Sequence, residues 1–66
     1  MRPLTEFERS VLDFERVLRE PTSDKDEAIS QTFDVSPRRY YQFLHVIIKK
    51  EAALAYDALL VRRLRR

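Results

Sequence analysis

The sequence predicts an all-α fold, a small bundle of four or five helices that contains a helix-turn-helix. The chain has 66 residues and no glycine, which disfavours tight hairpins between strands. Its apolar side chains recur at the spacing of helices that bury one face. A short helix at about 24–33, a turn at Asp34 and a second helix at about 37–49 follow one another in the layout of a helix-turn-helix.

Length and composition limit the kind of protein this can be. Sixty-six residues allow one domain, residues 1–66, with residues 1–4 as a flexible lead. The core of such a domain supplies roughly 3–5 kcal/mol. Without cysteine, neither a disulfide framework nor a thiolate metal site can form, and the one histidine, His45, lacks neighbouring ligands. We therefore expect no metal and no cofactor.

The sequence also lacks the patterns of an enzyme or a membrane protein. It has no nucleophile–base pair, glycine-rich phosphate loop or metal motif, so we expect no catalytic residues and no enzymatic activity. No apolar run approaches the roughly 20 residues that span a bilayer, and no signal peptide precedes the fold. The simplest expectation is a cytoplasmic protein with no membrane partner.

The first helix is predicted from the capping box that Thr5 forms with Glu8, with Thr5 as the N-cap. It should end by Glu20, because Pro21 disfavours helical geometry in the residue before it. The apolar stripe of this helix is predicted to comprise Phe7, Val11, Leu12, Phe14, Val17 and Leu18.

The second helix is predicted to follow an N-cap at Ser23 or Asp24 and to bury Ala28, Ile29 and Phe33. Asp34 then occupies the turn position that many helix-turn-helix units fill with glycine. Aspartate suits this position because it tolerates the left-handed conformation better than most residues.

The third helix is predicted to open with Ser36 as N-cap and Pro37 at the first helical position, and to run to about Lys49. Val35 would fill the corner before it. Its inner stripe is predicted to comprise Tyr40, with its hydroxyl at the rim, then Leu44, Ile47 and Ile48, with Tyr41 at the edge. Its outer face is predicted to carry Arg38, Arg39, Gln42, His45 and Lys49.

Residues 51–64 are helical by composition, and two arrangements remain open. Asp57 can cap a separate last helix that carries Leu60, Val61 and Leu64. Alternatively, one helix continues from Glu51 to Arg66, since neither glycine nor proline interrupts it.

The two halves of the chain differ in charge. Residues 1–35 carry five basic and nine acidic side chains, a net charge of −4, whereas residues 36–66 carry eight basic and two acidic, a net charge of +6. A divided molecule of this kind attracts phosphate with its positive side. Arg38 and Arg39 lie in the first turn of a helix, where positive charge is locally unfavourable, so a binding role gains weight.

A known family shares many of these residues. They are Leu4-Thr5, Leu12-Asp13-Phe14-Glu15, Ala28-Ile29, Phe33, Ser36, Arg39-Tyr40-Tyr41-Gln42, Leu44, Ala53-Leu54-Ala55, Asp57 and Leu59-Leu60-Val61-Arg62-Arg63-Leu64-Arg65. On these residues the chain resembles a family of small actinobacterial proteins classed as a domain of unknown function. The resemblance implies a helical fold related to helix-turn-helix domains and carries no activity. Relatives tend to have proline where this chain has Glu51 and Ala58.

A second similarity is looser. The spacing of Val35-Ser36 and Tyr40-Tyr41 is similar to that in the DNA-binding region of sigma factors, and the similarity concerns the fold only.

The chemistry of the third helix favours a DNA-binding role. An arginine fork can donate to the two acceptors of guanine, glutamine can read adenine, and the remaining bases can hold phosphates. The candidate DNA-binding residues are Arg38, Arg39, Gln42, His45, Lys49, Arg62, Arg63, Arg65 and Arg66. Lys50 is also suited to a backbone contact.

The favoured hypothesis is a small protein that binds duplex DNA as a transcriptional regulator or accessory, with a homodimer or larger assembly needed for useful specificity. The alternative is a protein-interaction module that docks on RNA polymerase or another large assembly. An exposed Phe43 and the acidic first half motivate this alternative.

Overall fold

The chain folds into five α-helices in a computed structural model, which describes residues 2–18, 20 and 22–65. The helices are α1 (Glu6–Val17), α2 (Ser23–Phe33), α3 (Pro37–Ile47), α4 (Glu51–Tyr56) and α5 (Ala58–Leu64). No strand occurs within the described ranges. The predicted all-α bundle is therefore confirmed.

The N-terminus of α1 is the capping box expected from the sequence. The amide of Glu8 donates to Oγ1 of Thr5 at 3.1 Å, and the amide of Thr5 donates to Oε1 of Glu8 at 2.8 Å. The helix ends at Val17, and Leu18 closes it by donating its backbone N–H to the carbonyl of Phe14. A cap of this type is worth about 1 kcal/mol.

The buried face of α1 includes fewer of the predicted apolar residues than expected. Val11 and Leu12 are fully buried, but Val17 is 79% exposed. At about 100° per residue, Val17 points almost directly away from the row of Val11, Leu12 and Glu15. Its assignment to the buried stripe was therefore wrong. Phe7 was also expected in the core, and it is 39% exposed at the edge of an aromatic cluster.

The second helix begins one residue earlier than expected. Thr22 is its N-cap, rather than Ser23 or Asp24, and its hydroxyl accepts a hydrogen bond from the amide of Lys25 at 3.2 Å. Thr22 has the extended backbone that an N-cap requires, and threonine adopts it readily. Among the predicted inner residues, Ile29 is fully buried.

The turn after α2 has the predicted left-handed residue. Asp34 has φ 56° and ψ 39°, and its amide donates to the carbonyl of Ser30 at 3.0 Å. Ser36 then caps α3 by accepting from the amide of Arg39 at 3.2 Å, with Pro37 at the first helical position. These local predictions are confirmed.

The third helix ends at Ile47, two residues before the predicted end. Ile48 and Lys49 form a turn, in which the amide of Lys49 donates to the carbonyl of Val46 at 3.2 Å. The chain must leave the helical path here because Lys50 is extended, with φ −79° and ψ 139°, before α4 begins. The predicted core residues Tyr40, Leu44, Ile47 and Ile48 are all buried.

Residues 51–64 form two helices, which resolves the alternative left open by the sequence. The chain breaks at Asp57, whose Oδ1 accepts from the amide of Leu60 at 3.4 Å and caps α5. Oδ2 of the same carboxylate accepts from Nε of Arg16 at 2.9 Å. Asp57 therefore both starts α5 and ties it to the end of α1.

The bundle is organised around α1, which packs against α3, α4 and α5, while α2 packs against α3. Its buried apolar residues are Leu4, Val11, Leu12, Ile29, Tyr40, Leu44, Ile47, Ile48, Ala52, Ala53, Leu60 and Val61. Leu4 was expected in the N-terminal lead, but its side chain lies in this core. The side of α3 opposite the core is consequently left on the surface.

Candidate nucleic-acid interface

The outer surface of α3 carries one stripe of polar and basic side chains. This stripe, called here the α3 stripe, consists of Arg38, Gln42, His45 and Lys49, all exposed. Arg38, Gln42 and His45 are separated by three or four residues, so they stand above one another on α3, and Lys49 continues the stripe in the turn that follows the helix. Tyr40, Leu44 and Ile47 are buried on the opposite side and face the core.

Two shallow hollows connect this stripe with its surroundings. The first, called the α3 hollow, is lined by Arg38, Tyr41, Gln42, His45 and Val46. The second, called the C-terminal hollow, is lined by His45, Ile48, Lys49, Leu64 and Arg65. His45 belongs to both, so the surface is continuous. No acidic residue lines either hollow, and α3 contains none.

Arg39 was expected beside Arg38 on the same face, but it lies on the flank of α3. Its guanidinium carbon is 5.8 Å from the ring centroid of Phe43, one turn further on. The two arginines are about 100° apart round the helix because they are adjacent in sequence. Arg39 is exposed, so its guanidinium remains accessible from solvent.

Phe43 is not the exposed anchor on which the protein-docking alternative rested. Its ring packs edge-on against that of Phe7, with centroids 5.5 Å apart and planes at 87°, and it lies against the core. The position of Phe43 on α3, about 140° from Arg38, turns it toward α1 rather than toward solvent.

The C-terminal arginines are separated by the fold. Nε of Arg65 donates to the carbonyl of Ile48 at 2.6 Å, which brings Arg65 to the end of the α3 stripe. Arg63 instead lines a hollow with Arg16, Asp57, Leu59 and Leu60. Arg62 is exposed on α5, and Arg66 lies outside the described residues. Only Arg65 of this group is shown to share a hollow with α3.

Lys50 is paired with a carboxylate instead of lying ready for a phosphate. Its ammonium group donates to Oε2 of Glu8, across the junction between α4 and α1. This hydrogen bond, together with that from the amide of Thr5, holds the pKa of Glu8 below its ordinary value. Lys50 thus contributes to the fold, and its neighbour Lys49 is the lysine on the α3 stripe.

A buried ionic network positions α3 against the first two helices. Nζ of Lys25 lies 2.9 Å from Oε2 of Glu15, and the hydroxyl of Tyr40 donates to the same oxygen at 2.6 Å. Glu15 is 1% exposed and Lys25 is 2% exposed. Burial raises the pKa of the Tyr40 phenol, and its hydrogen bond to Glu15 raises it further. One residue from each of α1, α2 and α3 takes part, so the network holds the three helices together.

This network also corrects the expected position of the Tyr40 hydroxyl, which lies inside the protein rather than at the rim. Tyr41 lies beside it, with ring centroids 5.2 Å apart, and the Lys25 ammonium is 5.5 Å from the centroid of the Tyr41 ring. The Tyr41 hydroxyl is buried and has no hydrogen-bond partner among the described residues.

Sequence reasoning did not identify Glu15 or Lys25 as important. The available signal was positional for Glu15, which follows the buried Val11 and Leu12 by four and three residues and so shares their face. No comparable signal marked Lys25, because lysine is rarely buried and its partner is on another helix.

The described part of the chain contains no cluster of three or more histidine, cysteine, aspartate or glutamate side chains suited to hold a metal ion. Across the same residues, no helix has the length and apolar character needed to cross a membrane.

Comparison with known proteins gives one match. Residues 3–66 match the model of the family described as "Protein of unknown function (DUF3263)". No curated protein and no solved structure matches the chain significantly.

Proposed function

The chain belongs to the DUF3263 family of proteins of unknown function, and we propose that it binds duplex DNA through the outer face of α3. In this proposal α2, the turn at residues 34–36 and α3 act as a helix-turn-helix, with α3 in the major groove. The protein would act in the cytoplasm as a transcriptional regulator or accessory.

One observation carries the proposal. The α3 stripe and the C-terminal hollow form a continuous surface that includes Arg38, Lys49 and Arg65 and is lined by no acidic side chain. Duplex DNA presents closely spaced phosphates, so an acid-free basic surface on the exposed face of a helix suits it electrostatically. The acidic helix α2 lies on the far side of the turn. DNA phosphates would repel α2 and attract the basic surface, and this difference would orient the domain on DNA.

Each side chain has a role that follows from its chemistry. Arg38 lies in the first turn of α3 and can donate to the O6 and N7 acceptors of guanine, whereas Gln42 can read adenine. His45, Lys49 and Arg65 surround one hollow and suit the phosphate backbone, which positions the protein without specifying a sequence.

The other arginines have lesser roles. Arg39, on the flank of α3 over Phe43, suits a phosphate at the edge of the groove. Arg63 lies beside Arg16 and Asp57 and contributes only to long-range attraction.

A homodimer would supply the specificity that one small domain lacks. A single module of this kind offers few base contacts, and two modules on adjacent half-sites double them. We expect the dimer to form on DNA.

The test is the affinity for duplex DNA measured across a salt series. We expect the logarithm of the association constant to fall linearly with the logarithm of salt concentration. Arg65→Gln should reduce that slope by about 0.9, the value of one phosphate contact. Arg63→Gln removes the same charge two positions earlier, inside α5, and is the matched control, because it should change the slope much less.

The combined variant Arg38→Ala and Gln42→Ala tests the groove contacts. It should retain weak binding that depends on salt and lose any preference among sequences. Absence of binding by the unaltered protein at low salt would refute the proposal, as would full sequence preference in this double variant.

A protein-interaction role is the second candidate, and a different observation favours it. Val17 is 79% exposed at the end of α1, and Leu59 is 72% exposed on α5. Exposed aliphatic side chains on a small domain can mark a docking surface for a large assembly such as RNA polymerase. Recovery of one protein in stoichiometric amount after nuclease treatment, lost in the variant Val17→Ser with Leu59→Ser, would favour this role.

A further inference from the structure

We infer that the α3 hollow receives the C5 methyl group of a pyrimidine in the major groove, either thymine or 5-methylcytosine. The inference rests on the proposed function, because it names the feature of the DNA that α3 would read. It comes from one side chain, Val46, that neither the fold nor the basic surface explains.

Val46 is an aliphatic residue on the polar side of α3. It is 58% exposed, although the other aliphatic residues of the helix, Leu44 and Ile47, are buried. Valine is also a poorer helix former than alanine, because its β-branched side chain loses rotamer freedom. Val46 therefore adds neither core packing nor helix propensity at this position.

Val46 gives the α3 hollow its apolar character together with the ring of Tyr41. Arg38, Gln42 and His45 also line the hollow, and the lining is mostly apolar. Such a lining, on a face that carries three polar residues, suits a ligand whose surface is polar apart from one methyl group.

The charge of the surrounding surface limits what this ligand can be. Arg38, Lys49 and Arg65 lie along the same surface, and no acidic side chain lines the α3 hollow or the adjoining C-terminal hollow. This surface suits an occupant that carries negative charge around a small apolar feature. In the major groove of DNA, the C5 methyl group of thymine is such a feature, flanked by base-edge donors and acceptors and bordered by phosphates.

The spacing along α3 agrees with the dimensions of DNA. Gln42 and Val46 are four residues apart, which corresponds to a rise of about 6 Å. Successive base pairs are separated by about 3.4 Å. Gln42 and Val46 would therefore contact base pairs within about two steps of each other, one through hydrogen bonds and the other through a methyl contact.

The experiment replaces the methyl group in the DNA. Preferred sites are first selected from a random duplex pool with the unaltered protein. The best site is then resynthesised with deoxyuridine in place of each thymine in turn, and in a second series with 5-methylcytosine in place of each cytosine. We expect binding to weaken about fourfold at one thymine position or to strengthen by a similar factor at one cytosine position, since burying one methyl group has about this effect.

Val46→Ala should abolish the difference between methylated and unmethylated DNA while retaining the salt dependence of binding. The matched control is Val17→Ala, which shortens an even more exposed valine on α1 and should leave the difference unchanged. Unfolding curves of both variants check that each remains folded.

Equal affinity for thymine and deoxyuridine at every position, with no gain from 5-methylcytosine, would overturn the inference alone. Persistence of the methyl effect in Val46→Ala would also overturn it. If the unaltered protein binds no DNA at low salt, or binds a protein through the α3 hollow instead, the inference and the proposed function both fail.

Discussion

Tyr40 on α3 and Glu15 on α1 are joined by a hydrogen bond of 2.6 Å inside the protein. The phenol donates to Oε2 of the carboxylate, which also pairs with Lys25 of α2. The two residues are 25 positions apart in sequence, so the bond ties α3 to α1. The exposed stripe that begins at Arg38 therefore depends on a contact made on the opposite side of the same helix.

Removing the hydroxyl group of Tyr40 should destabilise the protein, whereas removing that of Tyr41 should not. Tyr40→Phe loses a buried hydrogen bond to a charged group, which is worth about 1.5–3 kcal/mol. Tyr41→Phe removes a buried hydroxyl that has no partner among the described residues, so we expect an effect near zero or a gain in stability. Urea denaturation followed by circular dichroism measures both free energies of unfolding. An equal loss in the two variants would contradict the assigned hydrogen bond.

Lys25→Met should be the more damaging substitution. It leaves the Glu15 carboxylate buried without its ion-pair partner, and breaking such a pair costs about 3–5 kcal/mol. A domain of this size has a total stability of similar magnitude, so we expect the variant to be largely unfolded.

A second substitution makes the Lys25 prediction decisive. In the double variant Lys25→Met with Glu15→Gln, no buried charge remains unpaired. We expect much of the helical circular-dichroism signal to return, because an uncharged amide costs less to bury than a carboxylate. A double variant that is no more stable than Lys25→Met would show that the ion pair does not cause the loss.

Asp34 is the one described residue with a left-handed backbone. The stability of variants at this position should therefore depend on how easily the new residue adopts that conformation. Asp34→Ala should lose about 1 kcal/mol, because alanine disfavours positive φ. Asp34→Gly should be at least as stable as the unaltered protein, since glycine adopts this conformation without steric cost. Thermal unfolding measures the order, and about 1 kcal/mol corresponds to a shift of roughly 4–8 °C in a domain of this size. Equal melting temperatures for the alanine and glycine variants would contradict the explanation.

Glu8 should contribute to stability in a way that depends on pH. Its folded pKa lies below its ordinary value, mainly because Lys50 donates a hydrogen bond to the carboxylate. The contribution is therefore fully present above the unfolded pKa and is lost as pH falls through the lower, folded pKa.

The measurement is urea denaturation of the unaltered protein and of Glu8→Gln between pH 7 and about pH 3. We expect the unaltered protein to be more stable at neutral pH and the two curves to converge in acid. Glu6→Gln removes a charge from the exposed side of the same first turn and is the control. A constant difference across the pH range would exclude a role for the Glu8 charge.

Local features of the fold were predictable because neighbouring residues decide them. Thr5 with Glu8 and Ser36 with Pro37 begin helices where their side chains can accept from the next free amides, and Asp57 does so in one of the two arrangements that the sequence left open. The left-handed conformation of Asp34 followed in the same way from the need for a turn between two helices. None of these predictions required knowledge of which helices touch.

Features that depend on packing between helices were not predictable. Glu15 and Lys25 are ordinary charged residues in sequence, and only the approach of α1 to α2 makes them a buried pair. The exposure of Val17 has the same origin, because the packing of α3, α4 and α5 against α1 decides which side of α1 is buried. The positions of the candidate site residues were predicted along α3 but not across the bundle, where Arg65 and Arg63 separate.

Arg38 and Arg39 should respond differently to replacement by lysine, because helix geometry separates them. Arg38 is on the α3 stripe and would use its planar fork on guanine, whereas Arg39 lies over Phe43 on the flank and would use only its charge. Lysine keeps the charge and loses the bidentate geometry. We expect Arg38→Lys to reduce discrimination at one base pair by about 1–3 kcal/mol, and Arg39→Lys to preserve it. Competition between the selected site and its single-base variants measures the two effects. The opposite ranking would mean that α3 enters the groove by the flank that carries Arg39, and unchanged discrimination in both variants would mean that neither arginine reads a base.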